Sequence, residues 1–284
     1  MLNVYGVNIE KIADLTGSKY QNLQGSCSDG IYFYFAKVKN DWVELHKRKL
    51  SEPNKDVLCV AEKNNTKYRI HHANDMTYDK NNNRLIIVSY SDNDDSTTGS
   101  LVFVDPDTLI ARGSVFVKDK NGNILNIVGI EIFGDNYIGI DSNFLYLLDS
   151  EFRLIEKYSR GDFSQENIKE KYNSKFGDGK FCMQGLSISD NFIYYLTPYE
   201  YRENDKTTYN NIAVRFNYSF EAVGIITFDG KSESQGIFFA NNQGYLIFSN
   251  SDELYTFDVN FFRSFSKLLS DMLYEIRYLL DHGS

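Results

Sequence analysis

Three residues combine chemistries that a protein uses for catalysis or metal binding: the imidazole of His72, the thiol of Cys182 and the carboxylate of Glu233. Each stands three positions before the small or acidic residue of a recurring motif (Asp75, Gly185, Gly236), and the other two copies place Asn22 and Asn126 there. A carboxylate beside an imidazole orients it and raises its pKa, and a thiol beside that pair can act as a nucleophile. With His71 the same residues are acceptable zinc ligands. No close ligand pair such as Cys-x-x-Cys accompanies them, and neighbouring histidines on a strand point to opposite faces. The reading is therefore no metal and no cofactor. Two further acids, Asp75 and Glu131, sit inside first strands where other copies carry glycine, serine or apolar residues. Two carboxylates facing one pocket can do acid–base work on a glycoside; held by backbone amides they would be buried structural acids. One step before the motif's glycine position come Gln24, Asn74, Val128, Gln184 and Gln235. Four of these five are carboxamides, which donate and accept. They can line a polar floor for a ligand or satisfy backbone groups at a channel edge.

These residues share a height only if the chain repeats. The motif reads Asn22-Leu23-Gln24-Gly25, Cys182-Met183-Gln184-Gly185 and Glu233-Ser234-Gln235-Gly236, with degenerate copies ending at Asp75 and Gly129. The intervals between the aligned positions are 50, 54, 56 and 51 residues. Each copy leads into an Asn or Asp turn and an apolar run. Such a unit holds four strands, as a propeller blade requires. The second unit reads as strands over 72–78, 84–90, 100–104 and 109–117; the fifth supplies only 235–240, 245–250 and 253–259. The N-terminal residues Glu10 to Leu15 can provide the missing strand and remove an exposed sheet edge. The spacing predicts an all-β, five-bladed β-propeller over 1–259, closed by that N-terminal strand.

Composition agrees. The 284-residue chain has 21 Tyr, 21 Phe and only 3 Pro, and aromatic and β-branched residues favour a pleated, half-buried surface. A net charge of −9 and the lack of a long basic cluster speak against nucleic acid and anionic membranes as partners. No apolar run reaches the length of a membrane-spanning helix. Three widely spaced cysteines and an N-terminus without a signal pattern suggest a reducing, cytoplasmic setting, with export inside a phage-like particle left open. Asp92 to Asp95 reads as a solvated hairpin tip, and Gly177 to Lys180 as a loop.

On the Gln-Gly motif starts, the chain resembles five-bladed propellers as a superfamily, with similarity to plant-type glutamine cyclotransferases, tachylectin-type sugar binders and some glycosidases. The WD dipeptide is absent from the repeats. The resemblance implies a rigid ring with loops at a central mouth.

Residues 260–284 differ. Phe262, Phe265, Leu269, Met272, Ile276 and Leu279 recur at intervals of three and four. That predicts an amphipathic C-terminal helix. It packs on its own propeller or docks a protein partner or second copy through Phe262–Leu280. The functional expectation is a binding module for a small polar ligand or sugar at the mouth, with Tyr199, Tyr201 and Tyr209 on nearby loops. The alternative is a hydrolase or lyase working through His72, Asp75, Glu131, Cys182 and Glu233.

Overall fold

The structure, a computed structural model, describes residues 3–16, 22–39, 42–63, 68–90, 99–160, 178–189, 191–249 and 251–258. The helix expected over 260–284 and the hairpin tip at 92–95 lie outside them. Every described element is a strand. The N-terminus supplies β1 (Asn3–Val7) and β2 (Glu10–Asp14). The first sheet is β3 (Asn22–Ser28), β4 (Tyr32–Lys39), β5 (Trp42–Lys49) and β6 (Glu52–Lys63). The second is β7 (Asp75–Asp79), β8 (Arg84–Val88), β9 (Ser100–Val104) and β10 (Ala111–Phe116). The third is β11 (Gly129–Phe133), β12 (Asn136–Ile140), β13 (Phe144–Leu148) and β14 (Leu154–Ser159).

The fourth sheet is larger, with seven strands. It holds β15 (Gly179–Phe181), β16 (Leu186–Ser189), β17 (Phe192–Leu196), β18 (Tyr199–Glu203), β19 (Lys206–Asn217) and β20 (Ala222–Phe228), and β1 joins it parallel to β20. The last sheet is β21 (Ser234–Ala240), β22 (Gln243–Phe248) and β23 (Glu253–Asp258), completed by β2 antiparallel to β23. The N-terminal strand inferred from strand counting therefore pairs where the last sheet lacks one. Four local readings change. Tyr199, Tyr201 and Tyr209, expected on loops, lie on β18 and β19. Asn3–Val7 also forms a strand. Gly179 and Lys180, read as loop, begin β15. The first strand of the second unit starts at Asp75 rather than at His72, because His71 and Ala73 have φ of 51° and 46° and break the pleat.

Turn chemistry sets the hairpins. Asn204-Asp205 and Asn241-Asn242 each have both φ values positive, 50° and 62°, and 52° and 62°. That is the two-residue turn whose twist matches the flanking strands, and Asn and Asp tolerate it best after glycine. Elsewhere an Asp caps the turn with its side chain: Asp29, Asp105 and Asp141 each accept backbone N–H bonds from the residues two and three ahead.

Side chains alternate between the two faces of each strand, and both faces are buried. Phe33 and Phe35 pack toward Phe238 and Ile247 of the last sheet, while Tyr34 and Ala36 pack toward Met76 and Ile87 of the second. The second sheet packs on the third through Ile86 and Ile130, the third on the fourth through Ile138 and Leu186, and the fourth on the last through Tyr194 and Ile237. The innermost strands touch in the cyclic order β3, β7, β11, β16, β21 and back to β3. Sheets stacked face to face around a closed ring of first strands make an all-β propeller. None of the described elements is a helix long and apolar enough to cross a membrane.

Candidate functional site

The motif residues converge at one mouth of the channel. A cavity of about 310 Å³ there is lined by His72, Cys182 and Glu233, and by Gln24, Asn74, Gln184 and Gln235. Repetition explains this: equivalent positions at or just before the start of the innermost strands arrive at the same height. Asn22 and Asn126 share that alignment but do not line the cavity and are exposed. Asp75 and Glu131 lie outside the lining as well.

The carboxamides have mixed duties. Asn74 Nδ2 donates to the carbonyls of Val128 at 2.6 Å and Met183 at 3.1 Å, tying the second sheet to the third and fourth. Gln184 Nε2 donates to Glu233 Oε1 at 3.0 Å, joining the fourth sheet to the last. The carbonyl oxygens of Gln184 and Gln235 are buried and have no hydrogen-bond partner. A buried acceptor without a donor costs about 1–3 kcal/mol, so such atoms mark places that a bound molecule can satisfy.

The fourth sheet adds groups that no repeat predicted. β18 pairs with β15 and with the front half of the long β19, and the register sets Lys180, Glu200 and Tyr209 in one row. Lys180 Nζ lies 3.5 Å from Glu200 Oε2, and the Glu200 charge raises the Lys180 pKa. The Cys182 thiol lies 3.8 Å from Glu200 Oε2. Burial, then the negative charge of Glu233, and then that of Glu200 push this thiol upward, so it stays protonated at neutral pH. Burial also raises the Glu233 pKa, against the hydrogen bonds from Cys182 and Gln184. His72 lines the same cavity with its backbone N–H on Tyr90 O at 3.0 Å. Among the described residues no hydrogen bond joins its ring to Cys182 or Glu233. The three groups share a mouth without forming a relay, and a protonated thiol between two carboxylates is a poor nucleophile.

Asp75 and Glu131 sit within the ring of strands. Asp75 is fully buried; its Oδ2 accepts N–H bonds from Ile130 at 2.9 Å and Leu186 at 3.0 Å. Burial raises its pKa well above the carboxylate range despite those bonds. Glu131 accepts from the Thr77 hydroxyl, from Ile132 N–H at 2.8 Å and from Ser187 Oγ at 3.4 Å, and burial lifts its pKa to about 7. Cys27 lies beside it, buried, with its thiol pKa pushed up by burial and then by Glu131 and Asp75. These acids are held by backbone and hydroxyl donors, which is the structural alternative to glycoside chemistry.

No family model and no curated protein sequence matches this chain. Similar solved structures exist. A glutaminyl cyclase from Myxococcus xanthus matches with a TM-score of 0.57 and 10% identity, covering 90% of this chain and 97% of the cyclase chain. A virginiamycin B lyase from Staphylococcus aureus gives 0.45 at 9% identity, over 88% and 99% of the two chains. The Pan2 WD40 domain from Neurospora crassa gives 0.46 at 7% identity, over 88% and 94%. Likeness at 10% identity speaks to the fold and not to the site. With the ring of stacked sheets, the first of these matches shows that the chain is a β-propeller.

Proposed function

We propose that the protein is a binding propeller whose mouth takes a small polar ligand rich in hydrogen-bond donors, such as an amine or an amino sugar. The observation that carries this reading is the pair of buried, unpartnered carbonyl oxygens on Gln184 and Gln235 in a cavity that also holds Glu233. The acceptors and Glu233 favour a donor-rich, cationic guest, and Lys180, also in the lining, is paired with Glu200 and so does not call for an anion. In this reading the ring has five blades, the seven-stranded sheet being the fourth, and the protein is cytoplasmic. The segment Phe262–Leu280 attaches it to a protein partner or a second copy.

A thermal-shift series with simple amines, amino sugars, neutral sugars and short peptides tests the proposal. A ligand present at about 100 times its dissociation constant adds about 2.7 kcal/mol of stability. The stabilisation should be lost in Glu233→Gln and Gln235→Leu. Stabilisation by neutral sugars alone, or by none of the series, sinks the reading.

A second reading is supported by Glu233. A buried carboxyl with a raised pKa, next to a ligand cavity, is suited to carry a proton. One structural neighbour is an enzyme by name, a glutaminyl cyclase. On this reading the protein is a hydrolase or lyase acting at the mouth. Turnover of the stabilising ligand, abolished in Glu233→Gln, separates it from simple binding.

A further inference from the structure

The first sheet carries a second cluster on its two outer strands, among residues that do not line the mouth cavity. Glu44 and His46 lie two apart on β5, hence on one face, and Cys59 on β6 pairs directly with His46. Their ligand atoms all lie within 4.8 Å of one another. His46 Nε2 is 3.3 Å from Glu44 Oε2 and 4.0 Å from Cys59 Sγ. On the other side of the ring, Nδ1 lies 3.1 Å from Asp56 Oδ1, which also takes the Arg48 Nε–H at 2.6 Å. The imidazole stacks on Phe35, centroids 4.5 Å apart and planes at 2°. His46 and Glu44 are buried, and Cys59 is exposed.

Asp56 is an acceptor, so it fixes the proton of a neutral imidazole on Nδ1. The Nε2 lone pair then faces a carboxylate and the Cys59 thiol. Either the thiol proton or a metal ion can lie between these acceptors. A charge-assisted N–H···O bond is about 2.7–2.9 Å, shorter than the 3.3 Å seen. A tetrahedral ion with metal–nitrogen and metal–oxygen bonds of about 2.0–2.2 Å sets those two atoms about 3.4 Å apart. The same geometry asks for about 3.6 Å between nitrogen and sulfur, a closure that the exposed Cys59 side chain can make. A carboxylate on the far nitrogen is the outer-shell partner that metal-bound histidines almost always have.

We propose that Glu44, His46 and Cys59 form a binding site for a zinc-class divalent ion. The mixed nitrogen, oxygen and sulfur donors suit a borderline ion. The exposed Cys59 edge leaves the fourth position to water. On binding, the Cys59 thiol proton leaves to solvent and the thiolate takes its place on the metal. Because β5 supplies two ligands and β6 one, the ion clamps the outer hairpin of the first sheet. This is independent of the mouth.

Cobalt(II) added to the metal-free full chain is the test, read by absorption. The expected result is one equivalent bound, with d–d bands and a thiolate-to-cobalt charge-transfer band, all displaced by zinc(II). Cys59→Ser should lose the charge-transfer band. His46→Gln should abolish uptake, with circular dichroism confirming the fold. Asp56→Asn should weaken cobalt binding about 10–100-fold. Glu233→Gln should change nothing. No cobalt bands in the unaltered chain would overturn the proposal, as would a charge-transfer band that survives Cys59→Ser. Should His46→Gln lose its fold, the Cys59→Ser spectrum alone decides.

Discussion

The carboxylate of Asp75 occupies the space that a side chain on Gly185 would need: a Cβ built at Gly185 would lie 2.7 Å from Asp75 Oδ1. Gly129 also faces this carboxyl group, less tightly, with its Cβ position 3.1 Å from Asp75 Oδ2. The one acid in the motif's glycine row fills the middle that its neighbours leave open. Gly185→Ala should therefore cost about 1–3 kcal/mol by overpacking. Asp75→Ala should cost more, since it strips acceptors from the Ile130 and Leu186 N–H groups, at about 1–3 kcal/mol each. Asp75→Asn keeps an acceptor and should be far milder. Denaturant melts of the three variants rank them, and an Asn variant as damaged as the Ala variant would contradict this account.

Glu131 makes stability depend on pH. Its folded pKa, about 7, lies above the ordinary value of 4.5, so the folded state holds a proton that the unfolded state has released. That contribution is complete below the ordinary value and is lost as pH rises through about 7. Melts of the unaltered chain at pH 5 and pH 8 should show a loss that is smaller in Glu131→Gln, the remainder coming from Asp75 and Glu233, whose pKa values burial also raises. A variant with the same pH slope would assign the effect to another group.

The Cys182 thiol should alkylate slowly at pH 8, because burial, Glu233 and Glu200 keep it protonated. Glu200→Gln should speed its reaction severalfold, while Cys59, whose pKa is pushed up to about 12 by burial and then by Glu44, should react slowly and equally in both proteins. Peptide mapping after a short iodoacetamide pulse resolves the sites. Fast labelling of Cys182 in the unaltered chain would mean its surroundings are not those described.

Ring closure depends on β2 more than on β1. Leu15, just past β2, is fully buried, and its N–H donates to Asp252 O at 2.6 Å. Leu15→Ala should cost about 2–5 kcal/mol. Deleting residues 1–8 removes only the strand parallel to β20, whereas deleting 1–16 also exposes the edge of β23. The longer deletion should associate in sedimentation runs and melt lower. Equal behaviour of the two deletions would place the closure elsewhere.

Much of the mouth was legible in the sequence. His72, Gln24, Asn74, Cys182, Gln184, Glu233 and Gln235 line one cavity because a repeat of near-constant length returns equivalent residues to the same height in a ring. The Asn and Asp turns and the period-two apolar runs are local, so neighbours along the chain determine them. The strand pairing of Glu10–Asp14 followed from counting.

What the sequence did not disclose depends on register and on irregularity. Asn22 and Asn126 share the alignment but stay outside, and left-handed residues around His72 start its strand late. Lys180 lines the mouth, with Glu200 and Tyr209 behind it in the same row, because β19 is long enough to pair at both halves, which no motif announces. Glu44, His46 and Cys59 meet through a pairing register beside an irregular stretch of β5 and β6, so a search for close ligand pairs passes over them. Local chemistry along the chain decides strands and turns. Which side chains face one another is decided by closure of the ring and the register between strands, and those exist only in the folded molecule.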